Sequence, residues 1–356
     1  MRYIKDYKNL LKGKRVLVRI DVNEPVSEQG YPQDIFRIQR SLETINFLRE
    51  AGAKIILIAH LGSPQEKGKD GLSLKSIADK LAELGGFKLN FIEQDIANIN
   101  PKISYEIANG EILFLENLRF DAREEENSVE FAKILAQFGD LYVSDAFSVM
   151  HRKHSSVVAI TKLLPSFGGL VLEQELEALN HILNNPTKPA VAIIGGAKIT
   201  TKLPVIETLE SIFDYILVGG KIANEYIDKY EIAQSEKIIL PVDFVEKERY
   251  DIGPKTREIF AYYISQASTV IWNGPMGWFE KKPYDEGTKF IAQAIAKNES
   301  SYSVIGGGET VDEVHNLHQE SKIDFISTGG GAMLEYIATR GQLPGVLALQ
   351  NNILEI

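Results

Sequence analysis

Four stretches in the second half of the chain decide its fold class: AVAIIGGAKITTK (190–202), YILVGGKIA (215–223), YSVIGGGET (302–310) and DFISTGGGAML (324–334). Each begins with apolar residues typical of a buried strand and then runs into a cluster of glycines. Glycine allows backbone N–H groups to approach a phosphate closely. Because ligands of parallel sheets bind at the carboxyl ends of the strands, these glycine clusters predict a nucleotide site.

In the first half of the chain, the strand-like runs end in charged and polar side chains instead of glycines. These runs are VLVRIDVN (16–23), IILIAH (55–60), ILFLENLRF (112–120) and LYVSDAF (141–147). Arginine holds carboxylate and phosphate groups through paired hydrogen bonds, so such strand ends indicate recognition of a small anion. The two halves therefore predict two half-sites, one for a nucleotide and one for an acidic substrate.

Longer amphipathic stretches lie between these runs and predict helices. Three of them have helical spacing of apolar residues: SLETINFLRE (41–50), SLKSIADKLAEL (73–84) and VEFAKILAQF (129–138). Apolar strands separated by helices predict an α/β fold with mostly parallel sheets covered on both faces. We count about ten strand candidates, which fit two sheets better than one. We therefore expect two doubly wound, Rossmann-like lobes.

The joint between the lobes is predicted near 165–185, within PSFGGLVLEQELEALNHILNNPTKP. Its apolar spacing predicts a helix over 169–186, with glycines before it and Asn-Asn-Pro at its end. Such a helix can connect two lobes and hinge at its ends, although an ordinary surface helix within one domain is the alternative. The connecting helix would separate an N-terminal domain, 1–168, from a C-terminal domain, 187–343.

Composition excludes several classes of protein. A chain of 356 residues favours two domains, and 39 Lys+Arg against 49 Asp+Glu give a net charge of −10, which argues against a nucleic-acid partner. The absence of cysteine excludes disulfides and thiolate zinc sites. Apolar runs are shorter than the roughly 18 residues of a membrane span, and the N-terminus lacks a signal-peptide pattern, so we expect a cytoplasmic protein.

Familiar nucleotide and metal motifs are absent from the sequence. There is no G-x-x-x-x-G-K-[ST], and Val311 and Leu334 stand where the last glycine of G-x-G-x-x-G would be. Two H-x-x-H pairs, His151/His154 and His315/His318, lack the further ligands that zinc needs.

Side chains near the glycine clusters suggest phosphate and base binding. A helix starting near 200 would place Lys198 and Lys202 on one face, with Pro204 in its first turn. Two lysines at a helix start would attract phosphate; a solvated lysine pair is the alternative. Met276 and Trp278 suit contact with a nucleotide or packing in a core.

Cationic side chains cluster at the strand ends and loops of the first half. They are Arg19, Arg37, His60, Arg119, His151 and Arg152, with Asp21, Asn23 and Asn117 as neighbours. Each one alone would be read as a surface residue, but as a set they predict an anion site.

The chain resembles the phosphoglycerate kinase family over nearly its whole length. Thirteen segments match in the family's order: VLVRIDVNEPV (16–26), FRIQRSLETI (36–45), AHLGSP (59–64), FLENLRF (114–120), DLYVSDAFSVMHRKHSS (140–156), IIGGAKITTK (193–202), LVGGKIA (217–223), LPVD (240–243), DIGPKT (251–256), VIWNGPMGWFE (270–280), VIGGGET (304–310), ISTGGGAMLE (326–335) and LPG (343–345).

The resemblance implies two lobes joined by a helix, with residues 344–356 returning to the N-terminal lobe, in a hinge-bending monomer. The implied activity is reversible phosphoryl transfer between 1,3-bisphosphoglycerate and ADP, giving 3-phosphoglycerate and ATP with Mg²⁺. The substrate would bind to Arg19, Asp21, Asn23, Arg37, His60, Arg119 and Arg152. The nucleotide would bind to Gly195, Gly196, Lys198, Lys202, Gly219, Asn273, Glu280, Gly306, Gly307, Gly308, Glu309 and Thr310, and Glu309 would meet the metal.

The implied chemistry needs no general base. Both nucleophiles, a carboxylate and a phosphate oxygen, are already ionised at neutral pH. Catalysis would consist of alignment and charge stabilisation. We assign it to Arg37, Lys198 and the glycine loops at Gly307 and Gly330, together with Mg²⁺.

Several positions depart from the family pattern. Ser63 replaces an arginine in HLGRP, Glu309 replaces the aspartate of GGGD, and Lys221 replaces a glycine. Ser144 and Ser148 replace a usual Asn and Gly, and 224–252 is shorter than in other members. Two alternatives therefore stay open: a nucleotide-binding homologue with weak turnover, and a kinase for another small carboxylate.

Overall fold

A computed structural model describes residues 1–27, 31–229 and 235–356. The chain divides into an N-terminal unit, Met1–Glu175 with Gln342–Ile356, and a C-terminal unit, Leu176–Gly341. The division falls inside the helix Leu170–Asn184, which lies where a connecting helix is predicted. The domain limits predicted at 168 and 187 stay a prediction.

The N-terminal unit is built on a parallel six-stranded sheet with the order β3-β4-β2-β1-β5-β6. Its strands are β1 (Arg15–Arg19), β2 (Lys54–Ile58), β3 (Leu89–Ile92), β4 (Ile112–Leu115), β5 (Leu141–Ser144) and β6 (Ser166–Gly168). Its helices are α1 (Phe36–Glu50), α2 (Pro64–Lys67), α3 (Lys75–Gly85), α4 (Ile103–Glu106), α5 (Val129–Ala136) and the start of α6 (Leu170–Asn184). Short 3₁₀ helices include Leu118–Phe120 and Ala122–Glu124.

Helices cover this sheet because its central strands are apolar on both faces. Every residue of β1 and β4 is buried, and burial of each large aliphatic side chain contributes about 1.5–3 kcal/mol. Strand order reverses at β1, with β2 on one side and β5 on the other. Since β1 leads to β2 on one side and β5 leads to β6 on the other, the loops after β1 and β5 diverge and open a crevice, so residues after β1 are placed to bind a ligand.

The C-terminal unit repeats this design with the strand order β14-β13-β12-β7-β8-β9, again parallel. The strands are β7 (Ala190–Ile194), β8 (Tyr215–Val218), β9 (Ile238–Ile239), β12 (Thr269–Asn273), β13 (Tyr302–Gly306) and β14 (Phe325–Ile326), with β10 (Phe244–Val245) and β11 (Asp251–Ile252) as a separate antiparallel pair. The helices are α7 (Ile199–Glu210), α8 (Gly220–Lys229), α9 (Pro254–Gln266), α10 (Glu286–Lys297), α11 (Gly308–Asn316) and α12 (Gly330–Ala338). Its reversal lies between β7 and β12.

The last segment of the chain lies in the N-terminal unit and contains α13 (Pro344–Gln350). The Gly345 amide donates to the Met150 carbonyl at 2.8 Å. Beyond the helix, the Asn352 amide group accepts from the Ser166 N–H at 3.0 Å and donates to the Leu164 carbonyl at 3.0 Å. These hydrogen bonds anchor the C-terminal segment beside β6.

The predicted α/β fold with two mostly parallel sheets is confirmed, and helices lie at all three predicted stretches. One detail is wrong: Pro204 does not lie in the first turn of its helix. Because α7 already begins at Ile199, Pro204 lies in the second turn, where its missing N–H leaves the Thr200 carbonyl without the usual helical donor. Within the described ranges, no helix combines the length and the apolar character that crossing a membrane requires.

Candidate active site

Arg19 and His60 form the centre of a buried cationic group at the carboxyl ends of β1 and β2. They are 1% and 3% exposed, and a terminal nitrogen of Arg19 lies 2.8 Å from Nδ1 of His60. Because a guanidinium can only donate, Nδ1 accepts and the neutral ring carries its proton on Nε2. Burial and the charge of Arg19 lower the pKa of His60 well below its ordinary value. His60 is therefore a neutral hydrogen-bond donor at neutral pH.

The loop after β1 holds Asp21, Asn23 and Arg37 together. The Asn23 side chain accepts from the Gly62 amide at 2.8 Å, and Arg37 donates to the Asn23 carbonyl at 2.7 Å. Nε of Arg37 lies 3.8 Å from Oδ2 of Asp21, whose negative charge raises the pKa of Arg37. Since 24% of the Arg37 side chain remains exposed, this cation stays available to a ligand.

Arg119 completes the group from the 3₁₀ helix after β4. It donates to the Gly62 carbonyl at 2.6 Å, and its Nε lies 3.1 Å from Oε1 of Glu125. Its Nη2 is buried and has no hydrogen-bond partner among the described residues. A buried donor without a partner is costly, so this nitrogen marks a network that a ligand or water can complete.

Arg152 lies at the exposed border of the same group. Burial is the main cause that lowers the pKa of His60, Arg19 and Arg119, and the nearby charge of Arg152 adds to the lowering in all three. The structure thus brings together all seven predicted substrate residues: Arg19, Asp21, Asn23, Arg37, His60, Arg119 and Arg152. Four of the seven are arginines, so the group offers guanidinium donors that suit an anion.

The glycine clusters of the C-terminal unit have two different physical causes. A Cβ on Gly195 would lie 2.2 Å from the Pro275 carbonyl oxygen, and one on Gly219 would lie 2.5 Å from the Met276 sulfur. Gly306 and Gly330 are restricted in the same way by Met333 and by Gly307. Close packing at the strand ends and at the start of α12 therefore explains these glycines, independent of any ligand.

Gly308 and Gly331 differ, because among the described residues a Cβ at either position meets no atom within 4 Å outside its own helix and chain neighbours. Both lie in the first turn of a helix, α11 and α12 respectively, where N–H groups have no helical partner. Packing among the described residues does not explain glycine at these two positions, and the open space leaves room for close approach of a phosphate. Gly307, which precedes α11, has a φ of 104° and its carbonyl accepts from the Thr310 and Val311 amides.

Lys202 joins the ends of β7 and β12 at the strand reversal. Its Nζ donates to the Gly195 carbonyl at 2.7 Å, the Asn273 side-chain oxygen at 2.7 Å and the Asn273 carbonyl at 3.1 Å. An ammonium has three donors, and here all three are engaged by protein oxygens. Its role as a phosphate ligand stays a prediction, while this structure assigns it to holding the strand ends. Similarly, the buried Thr310 hydroxyl accepts from the Gly274 amide at 2.8 Å.

Lys198 differs from Lys202 in being exposed. It precedes the first residue of α7 and follows the glycine turn after β7. The two lysines therefore differ in role. The buried Lys202 ammonium holds the strand ends, whereas the exposed Lys198 ammonium is available to an anion.

A cavity of about 600 Å³ opens beside these strand ends. Gly196, Glu280 and Glu309, all predicted nucleotide residues, contribute to its lining, together with Trp278. Trp278 is 47% exposed, whereas Met276 is fully buried against Gly219. Of the two alternatives for this pair, cavity contact applies to the tryptophan and core packing to the methionine.

Other residues that line the cavity were not predicted from the sequence. They lie in the segment 224–252, for which the sequence analysis noted only its short length. They include Asn224, Arg249 and Tyr250. Asn224 donates to the Arg249 carbonyl at 3.1 Å, and the Tyr250 ring lies 5.7 Å from that of Trp278. No spacing pattern connects these positions, since they meet only through the fold of the loop at 246–250.

Glu309 is the candidate metal-binding carboxylate. It lies in the first turn of α11 with its side chain partly desolvated, and this desolvation together with the charge of Glu280 raises its pKa. Among the described residues no group of three or more metal-ligating side chains occurs. The donor set fits Mg²⁺ bound with a nucleotide, because Mg²⁺ usually takes one or two carboxylates and completes its shell with phosphates and water.

Comparisons with known proteins agree with this geometry. The family model described as phosphoglycerate kinase matches residues 4–239 and 228–340. A phosphoglycerate kinase from Coxiella burnetii is 31% identical, with a TM-score of 0.81 over 96% of this chain and 97% of that one. A phosphoglycerate kinase from Pyrococcus horikoshii OT3 is 29% identical, with a TM-score of 0.86 and 98% of each chain covered.

Proposed function

Because this chain belongs to the phosphoglycerate kinase family, we propose that its N-terminal unit binds the phosphoglycerate and its C-terminal unit binds the nucleotide. The activity is that of the family: reversible transfer of a phosphoryl group between 1,3-bisphosphoglycerate and ADP, giving 3-phosphoglycerate and ATP. The proposal concerns which residues of this chain carry out each part of the reaction.

The cationic group around Arg19, His60 and Arg119 supports phosphoglycerate as its ligand. The substrate carries a carboxylate, a hydroxyl and a phosphate, and the group offers guanidinium donors beside the acceptors Asp21 and Asn23. Positive charges recognise the two anions, and Asp21 can accept from the hydroxyl. This donor and acceptor set is the single observation on which the substrate assignment rests.

The cavity beside β7 and β12 supports nucleotide binding in the C-terminal unit. Glu280 would accept from the ribose hydroxyls, and Trp278 and Tyr250 would pack against the nucleoside. The phosphates would lie against the N–H groups at the starts of α11 and α12. The open space at Gly308 and Gly331 supports that position.

Alignment and charge stabilisation account for the chemistry assigned to this chain. The attacking carboxylate of 3-phosphoglycerate is ionised at neutral pH and needs no base. Arg37 and Lys198 would stabilise charge on the transferring phosphoryl group, and amides near Gly307 and Gly330 would orient the nucleotide phosphates. Glu309 would hold Mg²⁺, which neutralises phosphate charge when bound.

A coupled assay with ATP, Mg²⁺ and 3-phosphoglycerate tests the assignment of the substrate. We expect Mg²⁺-dependent turnover, with other small carboxylates, such as glycerate, at least about 100-fold less efficient in kcat/KM. A folded protein that prefers another carboxylate would overturn the substrate assignment. The monomeric state and the cytoplasmic location stay predictions.

Gly308→Ala tests whether glycine at position 308 is needed for phosphate binding or for protein packing. Because a Cβ there would contact nothing outside its own helix in the described part of the chain, the melting temperature should stay level or rise, since alanine favours a helix by about 0.5–1 kcal/mol. The added methyl group would occupy space needed by phosphate, so the KM for ATP should rise at least about tenfold. The KM for 3-phosphoglycerate should stay within about twofold of the wild-type value.

Gly330→Ala is the contrasting variant, because its Cβ would lie 2.5 Å from the Gly307 Cα and should lower the melting temperature. An unchanged KM for ATP in Gly308→Ala would mean that the nucleotide phosphates do not bind at the start of α11.

Ser63→Arg tests the departure on the substrate side. Ser63 follows Gly62, whose amide and carbonyl bind Asn23 and Arg119, so an arginine there would add a cation beside the proposed anion site. We expect the KM for 3-phosphoglycerate to fall roughly threefold or more, as one added charged contact would produce. Steady-state kinetics measures this effect; an unchanged KM would mean that another cation already replaces the missing arginine.

A further inference from the structure

Glu124 is a buried carboxylate that the proposed chemistry does not use. It ends the 3₁₀ helix Ala122–Glu124 and is 1% exposed. The loop is anchored at this point, because the Glu124 carbonyl accepts from the Ser155 amide at 2.8 Å. A carboxylate so deeply buried is costly unless its oxygens are hydrogen-bonded, so its partners indicate its role.

Both carboxylate oxygens of Glu124 bind Ser156. Oε2 accepts from the Ser156 amide at 3.0 Å, and Oε1 accepts from the Ser156 hydroxyl at 2.5 Å. Since the hydroxyl proton is thereby directed at Glu124, the lone pairs of Oγ are left to accept from elsewhere. Nε of Arg19 donates to this oxygen at 3.2 Å.

Arg19 connects Ser156 to His60 through its guanidinium group. Its Nη1 donates to the Ile20 carbonyl at 2.5 Å, and its Nη2 lies 2.8 Å from Nδ1 of His60. With Nε held by Ser156, the planar guanidinium is fixed at three points and its orientation relative to the imidazole is set.

The charges around Arg19 explain why a carboxylate, Glu124, stands at the start of the series of hydrogen bonds from Glu124 through Ser156 and Arg19 to His60. Arg152 repels Arg19, and among neighbouring charges Glu124 stabilises the cationic form most. His154 also faces Glu124, with its Nδ1 3.9 Å from Oε1, but burial and the nearby arginines lower the pKa of His154 to about 3. At neutral pH, His154 is therefore not a competing cation, and the attraction of Glu124 is directed at the arginines.

We propose that Glu124 is a positioning residue which, through Ser156 and Arg19, fixes His60 in the tautomer that carries its proton on Nε2. His60 then presents a donor of defined direction to the phosphoglycerate. The inference rests on the proposed substrate site, and it adds a role for two side chains that do not touch the substrate. Of the three consecutive carboxylates at 124–126, only the first has this role.

The ring nitrogens of His60 provide a direct test in the free protein. Wild-type protein labelled with ¹⁵N at histidine should show one protonated and one unprotonated nitrogen for His60, with the proton on Nε2, and His60→Gln assigns the signals. In Glu124→Gln and in Ser156→Ala, the two nitrogen shifts should move towards each other as the second tautomer becomes populated. Glu126→Gln, which removes an exposed carboxylate of the same motif, should keep the wild-type pattern.

Kinetics provides the second readout. In Glu124→Gln and Ser156→Ala the KM for 3-phosphoglycerate should rise about tenfold, with the KM for ATP within about twofold of wild type. The double variant should be no worse than the more affected single variant, because both changes interrupt one chain of contacts.

Wild-type nitrogen shifts in both single variants would overturn the proposal, as would additive losses in the double variant. If Glu124→Gln does not fold, Ser156→Ala is judged alone by the same criteria. The nitrogen shifts need no turnover, so a failure of the proposed substrate assignment would be detected separately from a failure of this inference.

Discussion

Arg37→Ala is expected to lower kcat for ATP and 3-phosphoglycerate by at least about 100-fold, with little change in melting temperature. The guanidinium is partly exposed and raised in pKa by Asp21, so it is a permanent cation available to the substrate. Its protein contacts, to the Asn23 carbonyl and near Asp21, orient it without consuming all five of its donors. Loss of a cation that acts mainly on transition-state charge should lower kcat more than it raises KM.

Arg49→Ala is the matched control on the same helix. Arg49 lies near the end of α1, where its guanidinium stacks on the Phe87 ring at 4.7 Å, away from the strand ends. Its removal should leave kcat within about twofold of wild type. A near-wild-type rate for Arg37→Ala would withdraw the catalytic role of Arg37, while a large loss in both variants would indicate damage to α1.

Lys198→Ala is expected to produce a comparable loss of turnover, at least about 100-fold, for a different reason. The ammonium follows the glycine turn after β7 and is exposed, so under the proposed function it is placed to meet the nucleotide phosphates. Removing it should leave the fold intact, because Lys202 still holds the ends of β7 and β12 through three oxygens. Single-turnover kinetics separates the transfer step from nucleotide binding.

Lys255→Ala provides the control for Lys198. Lys255 is also exposed at the start of a helix, α9, but that helix carries no predicted site residue. The turnover of the Lys255→Ala variant should remain at the wild-type level. Equal effects of the two changes would mean that general positive charge, and not the position of Lys198, accounts for the loss.

The fold, and the gathering of the strand-end residues at one edge of the sheet, were predictable from local pattern. Apolar runs such as AVAII at 190–194 are buried on both faces, and this burial determines a parallel sheet between layers of helices. In such a sheet, all carboxyl ends lie at one edge, so residues after each strand had to gather there. This explains why Arg19, Asp21, Asn23, His60 and Arg119 could be assigned to one site although they are spread over about 100 residues.

Individual roles were less predictable, as the two lysines after β7 illustrate. Their spacing made Lys198 and Lys202 look equivalent, but the second points into the reversal between β7 and β12 and is 7% exposed. Glycine was ambiguous in the same way. The sequence cannot distinguish Gly195, required by the Pro275 carbonyl, from Gly308, which faces open space.

Hydrophobic periodicity, strand-end chemistry and the ordered family segments are carried by neighbouring residues, so the amino-acid sequence alone was enough for the α/β fold and the family; the two half-sites stay a prediction. The partners of each buried polar group depend on contacts between distant segments. Only the tertiary structure could show that Glu124 reaches His60 through Ser156 and Arg19, because these four residues come from four separate loops and strands. The same holds for the Arg119 nitrogen that lacks a partner within the described part of the chain, since burial and hydrogen bonding are properties of the packed chain and not of any local pattern.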